Sequence, residues 1–250
     1  MITVQRVAKA AGKHLTKTGL KLRKALGARP DRGCPACGRT VIGFFRYGDN
    51  AEWGCPECGA SPRERLMNHL IAQDVLSVPV DGAILHMAPN EASLVRRFSA
   101  AKDYVPADID PARYTVPAMR RVDLMELSET DRYDIFYASH VMEHVPDDRA
   151  VLGNILRALK PGGEAWLIVP LWNKPTEDGS FDIPPRERER RFGQWDHVRQ
   201  YGPDFADRIR QAGFDLEEID AASIGADMRR LYALDDRLFR ARKPGGASLR

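Results

Sequence analysis

The sequence predicts an α/β fold with a doubly wound, mostly parallel sheet, preceded by a small cysteine-containing module. From about residue 80, short apolar runs alternate with amphipathic helical segments, an order typical of parallel sheets covered by helices on both faces. All four cysteines lie early in the chain, in two Cys-x2-Cys pairs. A chain of 250 residues is long enough for one medium domain and a small accessory module.

Composition and charge narrow the class of protein. The chain is 43% hydrophobic and 29% charged, as in ordinary globular proteins. No apolar run approaches the roughly 20 residues that cross a bilayer, and the first 30 residues lack the apolar core of a secretory signal. We therefore expect a cytoplasmic protein. Residues 1–30 contain eight Lys or Arg and no acidic residue, so the net charge of +3 comes from this arm and the rest of the chain is slightly acidic.

Residues 1–30 predict a basic amphipathic helix, because apolar residues recur at helical spacing and lysines lie between them. Four interpretations stay open. The helix contacts an anionic membrane surface through residues 1–28, or it contacts nucleic acid. Alternatively it packs on its own domain with a solvated basic face, or it is an organellar transit peptide. The apolar positions are Val4, Val7, Ala11, Leu15, Leu22 and Leu26.

Residues 31–60 predict a zinc ribbon. The pairs Cys34-Pro-Ala-Cys37 and Cys55-Pro-Glu-Cys58 are separated by 17 residues, the spacing of a structural zinc site. A glycine follows each pair and lets the turn bend so that backbone N–H groups approach the thiolates. The stretch "RTVIGFFRYGDNAEWG" between the pairs alternates apolar and polar residues, as a short hairpin does. Four thiolates close the coordination shell, so we expect structural Zn²⁺; two disulfides are the alternative and need an oxidising compartment.

Residues 61–79 predict a connecting helix. Ser61-Pro62-Arg63-Glu64 has the pattern of a capping box with proline at the first helical position. Leu66, Leu70, Ile71 and Val75 then give the helix an apolar face.

The main body contains five further predicted strands and two strong helices. Ligands of such sheets bind at the carboxyl ends of the parallel strands. The predicted strands are "AILHMA" (83–88), "DYVPADI" (103–109), "RRVDL" (120–124), "YDIFYAS" (133–139) and "EAWLIVP" (164–170). The helices are "EASLVRRFSAA" (91–101) and "DDRAVLGNILRALK" (147–160), the second stopped by Pro161-Gly162-Gly163.

The stretch "YDIFYASHVMEHVPDDRAVLGNILRALKPGGEAWLIVP" resembles the class I S-adenosylmethionine (SAM) methyltransferases over their fourth strand, fourth helix and fifth strand. Its "LKPGG" turn is especially similar, and the pattern covers residues 80–242. The chain also resembles a bacterial subgroup of these methyltransferases that carries a zinc ribbon. The resemblance lies in the ribbon and in the stretches "RERLMNHL", "LH-x-AP" and "HVRQYGPDFADRIRQAGF". The resemblance implies a SAM-dependent methyltransferase domain over residues 80–250. Its Rossmann-like sheet has seven strands in the order 3-2-1-4-5-7-6, with the last strand, in "YALDDRLFRARK", antiparallel.

The resemblance also assigns a cofactor loop, and this chain departs from it. The family motif, acid-x-Gly-x-Gly-x-Gly, falls on His86, Ala88, Asn90 and Ala92, without a glycine. We expect His86, Ala88, Pro89 and Asn90 at the methionine end of SAM, with fewer N–H donors than usual because proline has none. Asn90 is the non-glycine residue best suited to a left-handed backbone.

The other implied cofactor contacts follow the next three strands. Asp108 ends "YVPAD", where a carboxylate binds both ribose hydroxyls; Asp110 is a rival but is better placed as a helix cap. Asp123 and Leu124 match the adenine position, and Ser139 lies beside the sulfonium. Two carboxylates suit a cationic nucleoside.

His140 and His197 are the candidate general bases, because methylation of an alcohol needs a base near the acceptor oxygen. Glu143 and His144 in "MEHV" are weaker candidates, since this motif usually caps the following helix in the family. Residues 171–203 form a predicted insertion over the active-site edge. Its aromatic and basic residues suit a sugar or an anionic small molecule, although "RERERR" is the pattern of a solvated helix face.

The sequence therefore predicts a SAM-dependent methyltransferase acting on an oxygen of a small molecule such as a sugar or glycan precursor. A SAM-binding scaffold protein without catalysis is one alternative. A nucleic-acid methyltransferase that uses the ribbon and the basic arm is the other, but the acidic body and the lack of an "NPPY"-type motif disfavour nucleic acid. The oligomeric state stays open.

Overall fold

A computed structural model describes residues 4–245, with side chains from residue 11 onward. The side chains of Val4 and Val7, part of the predicted apolar face, and residues 246–250 lie outside the described part. The chain divides into two units: a ribbon unit (residues 1–78, 91–97 and 220–236) and a sheet unit (residues 79–90, 98–219 and 237–250). The predicted domain boundaries at residues 30, 60 and 79 stay predictions. Among the described helices, none has the length and apolar character needed to span a membrane.

Short antiparallel strands come first along the chain, and longer strands that alternate with helices follow them. The first part contains α1 (Val4–Ala25), β1 (Arg32–Gly33), β2 (Thr40–Val41), β3 (Phe45–Tyr47), β4 (Asn50–Gly54) and α2 (Pro62–Ala72). Next come β5 (Ala83–Met87), α3 (Ala92–Phe98), β6 (Asp103–Asp108), β7 (Arg120–Arg121), β8 (Tyr133–Ser139), α4 (Asp148–Ala158) and β9 (Leu159–Ile168). The last part contains β10 (Glu177–Asp178), α5 (Pro185–Phe192), β11 (Arg199–Gln200), α6 (Phe205–Gln211), β12 (Asp215–Asp220), α7 (Ala226–Tyr232) and β13 (Arg237–Arg242).

The ribbon unit contains two short antiparallel pairs, β1 with β2 and β3 with β4. The hairpin predicted between the cysteine pairs is therefore present. Arg65 of α2 is fully buried in this unit. Its guanidinium donates to the carbonyls of Glu52, Trp53, Ala60, Tyr232 and Ala233 at 2.6–3.0 Å, and it stacks 4.0 Å from the Phe44 ring centroid. One planar cation thus joins loops that have little apolar core between them.

Helix α1 packs on the ribbon through lysines and through Leu20, which lies beside Gly43, and not through the leucines of the predicted apolar face. Lys13 Nζ lies 5.5 Å from the Trp53 ring centroid, and Lys24 Nζ donates to Thr40 O and to Glu57 at 3.1 and 3.2 Å. Lysine stems can cover aromatic rings while the ammonium makes cation–π contacts. The predicted apolar face is therefore exposed, at 74%, 58% and 78% for Leu15, Leu22 and Leu26.

Helix α2 begins as predicted. Ser61 is its N-cap and accepts from the Glu64 N–H at 3.4 Å, with Pro62 in the first turn. The second half of the predicted capping box is replaced, because the Glu64 carboxylate accepts from the N–H and hydroxyl of Ser93. Leu66 and Leu70 are buried as expected, whereas Val75 is exposed.

The sheet unit has seven strands in the order β7-β6-β5-β8-β9-β13-β12. In order of appearance within this sheet, that is 3-2-1-4-5-7-6, so the predicted Rossmann-like topology is confirmed. Strands β5 to β9 pair in parallel, and β13 is antiparallel to β9. The carboxyl ends of β5, β6, β7 and β8 therefore lie along one edge, where the sequence places the ligand.

Helix α4 covers this sheet with its predicted apolar face, since Val151, Leu152 and Ile155 are fully buried in the main core. The end predicted for this helix is wrong. It stops at Ala158, and the "LKPGG" stretch already belongs to β9. Gly163 has no room for a Cβ, which would lie 2.9–3.1 Å from three backbone oxygens of Lys160, Tyr133 and Asp134. Gly163 is therefore required for the close approach of β8 and β9, in addition to its place in the predicted turn.

Candidate functional site

The four cysteines of the ribbon come together as one cluster. Their Sγ atoms all lie within 4.8 Å of one another, at 3.7 Å for Cys34–Cys58 and 4.0 Å for Cys37–Cys55. No disulfide joins them. Zinc–sulfur bonds of about 2.3 Å in a tetrahedron separate the sulfurs by about 3.8 Å, so the cluster fits zinc. Gly38 and Gly59 have φ of +70° and +86° and donate to the carbonyls of Cys34 and Cys55, as knuckle turns require.

The glycine-free loop after β5 turns at an unexpected residue. Ala88 has a left-handed φ of +49°, whereas Asn90 is not among the described residues with positive φ. An alanine in this region costs about 1–2 kcal/mol, and such strain is concentrated at functional sites. The Ala88 N–H donates to Ala107 O and the Asn90 N–H to Ala88 O. Both of these N–H groups are bonded within the protein and Pro89 has none, so the predicted contact of this loop with the methionine end of SAM stays a prediction.

His86 lies inside the sheet unit and not at its surface. The ring is fully buried, edge-on to Phe98 and Tyr137, and its Nδ1 lies 3.0 Å from the Tyr104 hydroxyl. Burial lowers the pKa of His86 to about 3, so the imidazole is neutral. Its Nε2 is buried without a hydrogen-bond partner among the described residues. A contact from His86 to the methionine end of SAM stays a prediction.

Asp108 ends β6 and is almost fully buried. Its carboxylate accepts from the Asp110 N–H and from the Tyr114 hydroxyl, both at 2.8 Å. Burial, and then the hydrogen bond to Asp108, raise the pKa of Tyr114, so the phenol is a donor at neutral pH. The sequence reading missed Tyr114. Asp110 is the N-cap position of a short 3₁₀ helix (Pro111–Arg113), but its side chain makes no cap hydrogen bond. The ribose contact therefore stays a prediction, with Asp108 at the end of β6 and Asp110 exposed two residues later.

The predicted adenine position follows β7. Asp123 caps a 3₁₀ helix (Leu124–Glu126) by accepting from the Met125 N–H at 2.9 Å, and Leu124 is buried. Asn154 of α4 donates to the carbonyls of Leu124 and Met125 at 3.0 and 3.1 Å, which holds this loop. A fixed apolar residue next to a carboxylate suits an adenine ring with an exocyclic amine, so Asp123 and Leu124 remain the predicted contacts.

Ser139 and His140 end β8 beside the loop of β5. Ser139 is buried, and its hydroxyl has no hydrogen-bond partner among the residues that the structure describes. His140 is half-buried with a left-handed φ of +55°, and its N–H donates to Ile168 O at 2.8 Å. Its Nδ1 lies 3.4 Å from the carboxylate of Glu143, which is fully buried. This arrangement pairs a histidine that solvent can reach with a carboxylate that orients it.

The segment predicted to be an insertion, residues 171–203, brings His197 to the same place. The Val198 N–H donates to Glu143 O at 2.9 Å, and the rings of His144 and His197 meet edge to face at 4.7 Å. Burial, and then the neighbouring His144, lower the pKa of His197. The predicted bases His140 and His197 both approach Oε1 of Glu143, at 3.4 Å from His140 Nδ1 and 4.0 Å from His197 Nε2.

A buried ion network that the sequence reading missed fixes this segment. Arg208 bridges Asp148 and Asp178, with shortest distances of 3.0 and 2.6 Å. Arg199 donates to the carbonyls of Met142, Val145 and Pro146 at 2.6–3.0 Å, and Tyr201 donates to Met142 O and Asp148. Arg199, Tyr201 and Arg208 lie in the stretch "HVRQYGPDFADRIRQAGF" that carries the resemblance, but their spacing does not show that they are buried and paired. The network holds residues 142–148, which carry Glu143 and His144.

The comparisons with known proteins agree with this fold. A family model described as "Methyltransferase domain" matches residues 81–219, more than half of the chain. The chain therefore belongs to the methyltransferase-domain family, and its fold and family define it as one of the SAM-dependent methyltransferases. No curated protein matches the sequence.

Two solved structures, SpnF and YcgJ, show the same fold at low sequence identity, and a third is a weaker match. The [4+2]-cyclase SpnF is 16% identical with a TM-score of 0.54, covering 94% of this chain and 96% of its own. YcgJ from Bacillus subtilis is 12% identical with a TM-score of 0.50, covering 71% of this chain and 99% of its own. A Burkholderia thailandensis 1,6-didemethyltoxoflavin-N1-methyltransferase with bound S-adenosylhomocysteine is 16% identical with a TM-score of 0.46, covering 70% and 75%.

Proposed function

We propose that this protein transfers a methyl group from SAM to an oxygen of a small molecule, such as a sugar or glycan precursor. One observation carries the proposal: at the end of β8, His140 lies 3.4 Å from the buried Glu143 carboxylate, beside the predicted sulfonium position at Ser139. An alcohol must lose its proton as its oxygen attacks, whereas the methyl group of SAM is already activated. A base at this place is what oxygen methylation adds to positioning.

Different residues bind the three parts of SAM and the acceptor. Asp108 binds the ribose hydroxyls, with Tyr114 giving up its hydrogen bond to that carboxylate. Asp123 and Leu124 hold the adenine, and the turn at Ala88 and Asn90 receives the methionine end. The acceptor hydroxyl lies against His140, which takes its proton, while Glu143 keeps the imidazole oriented and stabilises its charged form.

The test is methyl transfer from labelled SAM to a panel of monosaccharides, nucleotide sugars and matched amines. Transfer to hydroxyl groups is expected, with His140→Gln lowering kcat by about 10²–10⁴ while SAM still binds. His69→Gln, which changes a buried histidine of the ribbon unit, is the matched control. Transfer to nitrogen or carbon alone would contradict the proposal. Tight SAM binding without any transfer would favour the alternative, a SAM-binding protein without catalysis.

Structural zinc in the ribbon is part of the same proposal. The sulfur separations in the four-cysteine cluster match tetrahedral thiolate coordination, and four protein ligands leave no position for a substrate. The metal would then hold the ribbon and take no part in methyl transfer.

We also propose that α1 contacts an anionic membrane surface. The support is the orientation of the helix: Leu15, Leu22 and Leu26 are exposed, next to exposed Lys21 and Arg23. Apolar residues flanked by cations are the pattern of interfacial helices. Sedimentation with phosphatidylserine vesicles is expected to carry the protein down, and the Leu15→Ser, Leu22→Ser, Leu26→Ser variant is expected to remain in solution. Equal sedimentation of the two, or salt-sensitive binding to RNA in place of vesicles, would refute it.

A further inference from the structure

A second group of potential metal ligands belongs to the sheet unit. Glu143 and His144 are part of a short 3₁₀ helix (Met142–His144), and His197 comes from the inserted segment. One carboxylate oxygen of Glu143 and one ring nitrogen of each histidine lie within 4.8 Å of one another. Two imidazoles and a carboxylate form a ligand set that binds Zn²⁺, Fe²⁺, Co²⁺ and Mn²⁺.

Both histidines are oriented by backbone carbonyls. His197 Nδ1 lies 2.9 Å from Phe192 O, and His144 Nδ1 lies 3.2 Å from Asp196 O. A carbonyl only accepts, so each Nδ1 carries the proton and each Nε2 keeps its lone pair. Metal-binding histidines are fixed in this way, with one nitrogen donating to a carbonyl or carboxylate and the other binding the ion.

Glu143 supplies the carboxylate of the set. Its side chain is fully buried, so water does not compete for it, and a carboxyl group that binds a metal ion gives up its proton and balances part of the charge of the ion. The side chain of His144 is 34% exposed, which gives an ion a route from solvent. We propose that Glu143, His144 and His197 bind one divalent transition-metal ion, distinct from the zinc of the ribbon.

Binding requires a small closure. Metal–nitrogen and metal–oxygen bonds of about 2.0–2.2 Å place ligand atoms about 3–4 Å apart, so the three side chains move together by about 1 Å. The Gln194 amide, 2.8 Å from His197 Nε2, is displaced by the ion. Three protein ligands leave further positions for water or an acceptor oxygen. Given the proposed function, the ion would bind the acceptor hydroxyl beside His140 and lower its pKa.

The test uses Mn²⁺ with the full-length, zinc-loaded chain, because thiolates prefer zinc and leave manganese to oxygen and nitrogen ligands. Electron paramagnetic resonance measures the concentration of free Mn²⁺, and the bound Mn²⁺ is the difference from the total added. One Mn²⁺ per chain is expected, and Glu143→Gln and His144→Gln are each expected to weaken its binding more than about tenfold. The matched control, His69→Gln, lies in the ribbon unit and is expected to bind Mn²⁺ like the wild type.

Thermal unfolding separates loss of the site from loss of the fold. Mn²⁺ is expected to raise the Tm of the wild type and not that of Glu143→Gln, whose metal-free Tm should be close to that of the metal-free wild type because glutamine has nearly the same shape. The readout does not depend on methyl transfer, so an inactive protein that binds Mn²⁺ would refute the proposed function alone. Absence of Mn²⁺ binding to the wild type, or equal binding by both ligand variants, would overturn the metal site.

Discussion

The ribbon unit and the sheet unit are stabilised by different interactions. The buried apolar cluster around the ribbon is small, and four thiols and the fully buried Arg65 lie beside it. The sheet unit has a large continuous core in which strands β5, β8 and β9 pack with α4. A small module with little apolar area needs a metal or another cross-link to fold, whereas a sheet with helices on it does not. Four amino-acid substitutions test this difference, because each is expected to change the stability of one unit and leave the other unchanged. They are described from the largest expected effect to the smallest.

The largest expected effect follows removal of one zinc ligand. Cys58→Ser should abolish zinc binding and unfold residues 31–60, since structural zinc contributes about 10–16 kcal/mol in ribbon-sized peptides. Zinc content and hydrogen exchange of the ribbon amides measure it. SAM affinity should be kept, because all predicted SAM contacts lie in the sheet unit. Glu57→Gln, next to the ligand, is the control; a folded ribbon in Cys58→Ser would contradict the account.

Arg65→Met should destabilise the ribbon unit by at least about 3 kcal/mol, because several buried carbonyls lose a charged donor. Arg65→Lys should rescue little, since one ammonium cannot serve carbonyls on separate loops. Protection of the Cys34 and Cys55 amides, which donate to Arg39 O and Ala60 O, reports the change. Unchanged protection in both variants would mean that the guanidinium is dispensable.

His86 should make the sheet unit sensitive to acid. Its pKa is about 3 in the folded state, below the ordinary value of 6.5. The unfolded chain therefore binds a proton that the folded chain excludes, and stability present above pH 6.5 is lost as the pH falls towards 3. The expected loss is about 2 kcal/mol by about pH 5, measured as sheet-unit hydrogen exchange. His86→Phe should remove this slope and His14→Gln should not; an unchanged slope in His86→Phe would exclude His86 as its source.

The smallest change tests the sheet core. Ile155→Val removes one fully buried methylene group and should cost about 1 kcal/mol in the sheet unit alone. Urea unfolding measured through sheet-unit amides, with ribbon amides and zinc content unchanged, is the expected outcome. Equal loss of protection in the ribbon would show that the two units unfold as one.

The alternation of apolar runs and helices predicted a parallel sheet, and the resemblance to the SAM methyltransferases, with "LKPGG" among its motifs, implied the strand order that the structure has. The packing of α1 could not be predicted. Periodicity gives the apolar face of a helix but does not show that lysines cover Phe45, Tyr47 and Trp53. The role of Arg65 was missed for a related reason, because no pattern in the sequence distinguishes a buried arginine from an exposed one.

The candidate SAM site could likewise be predicted only in part from the sequence. The resemblance placed Asp108, Ser139 and His140 at the ends of predicted strands, and parallel strands bring their carboxyl ends to one edge of the sheet. The left-handed residue of the loop was expected at Asn90 and lies at Ala88, since tertiary contacts and not side-chain preference decide which residue turns. Tyr114 reaches Asp108 only through the path of the loop that follows β6, which no local pattern encodes.

The central claim is that the edge formed by β5, β6, β7 and β8 binds SAM. Calorimetric titration of the full-length protein with SAM and with S-adenosylhomocysteine tests it most directly. We expect one site per chain for each nucleoside, weakened at least about tenfold by Asp108→Asn, because the variant loses charged hydrogen bonds to the ribose. Absence of binding by either nucleoside to the wild-type protein would contradict the claim.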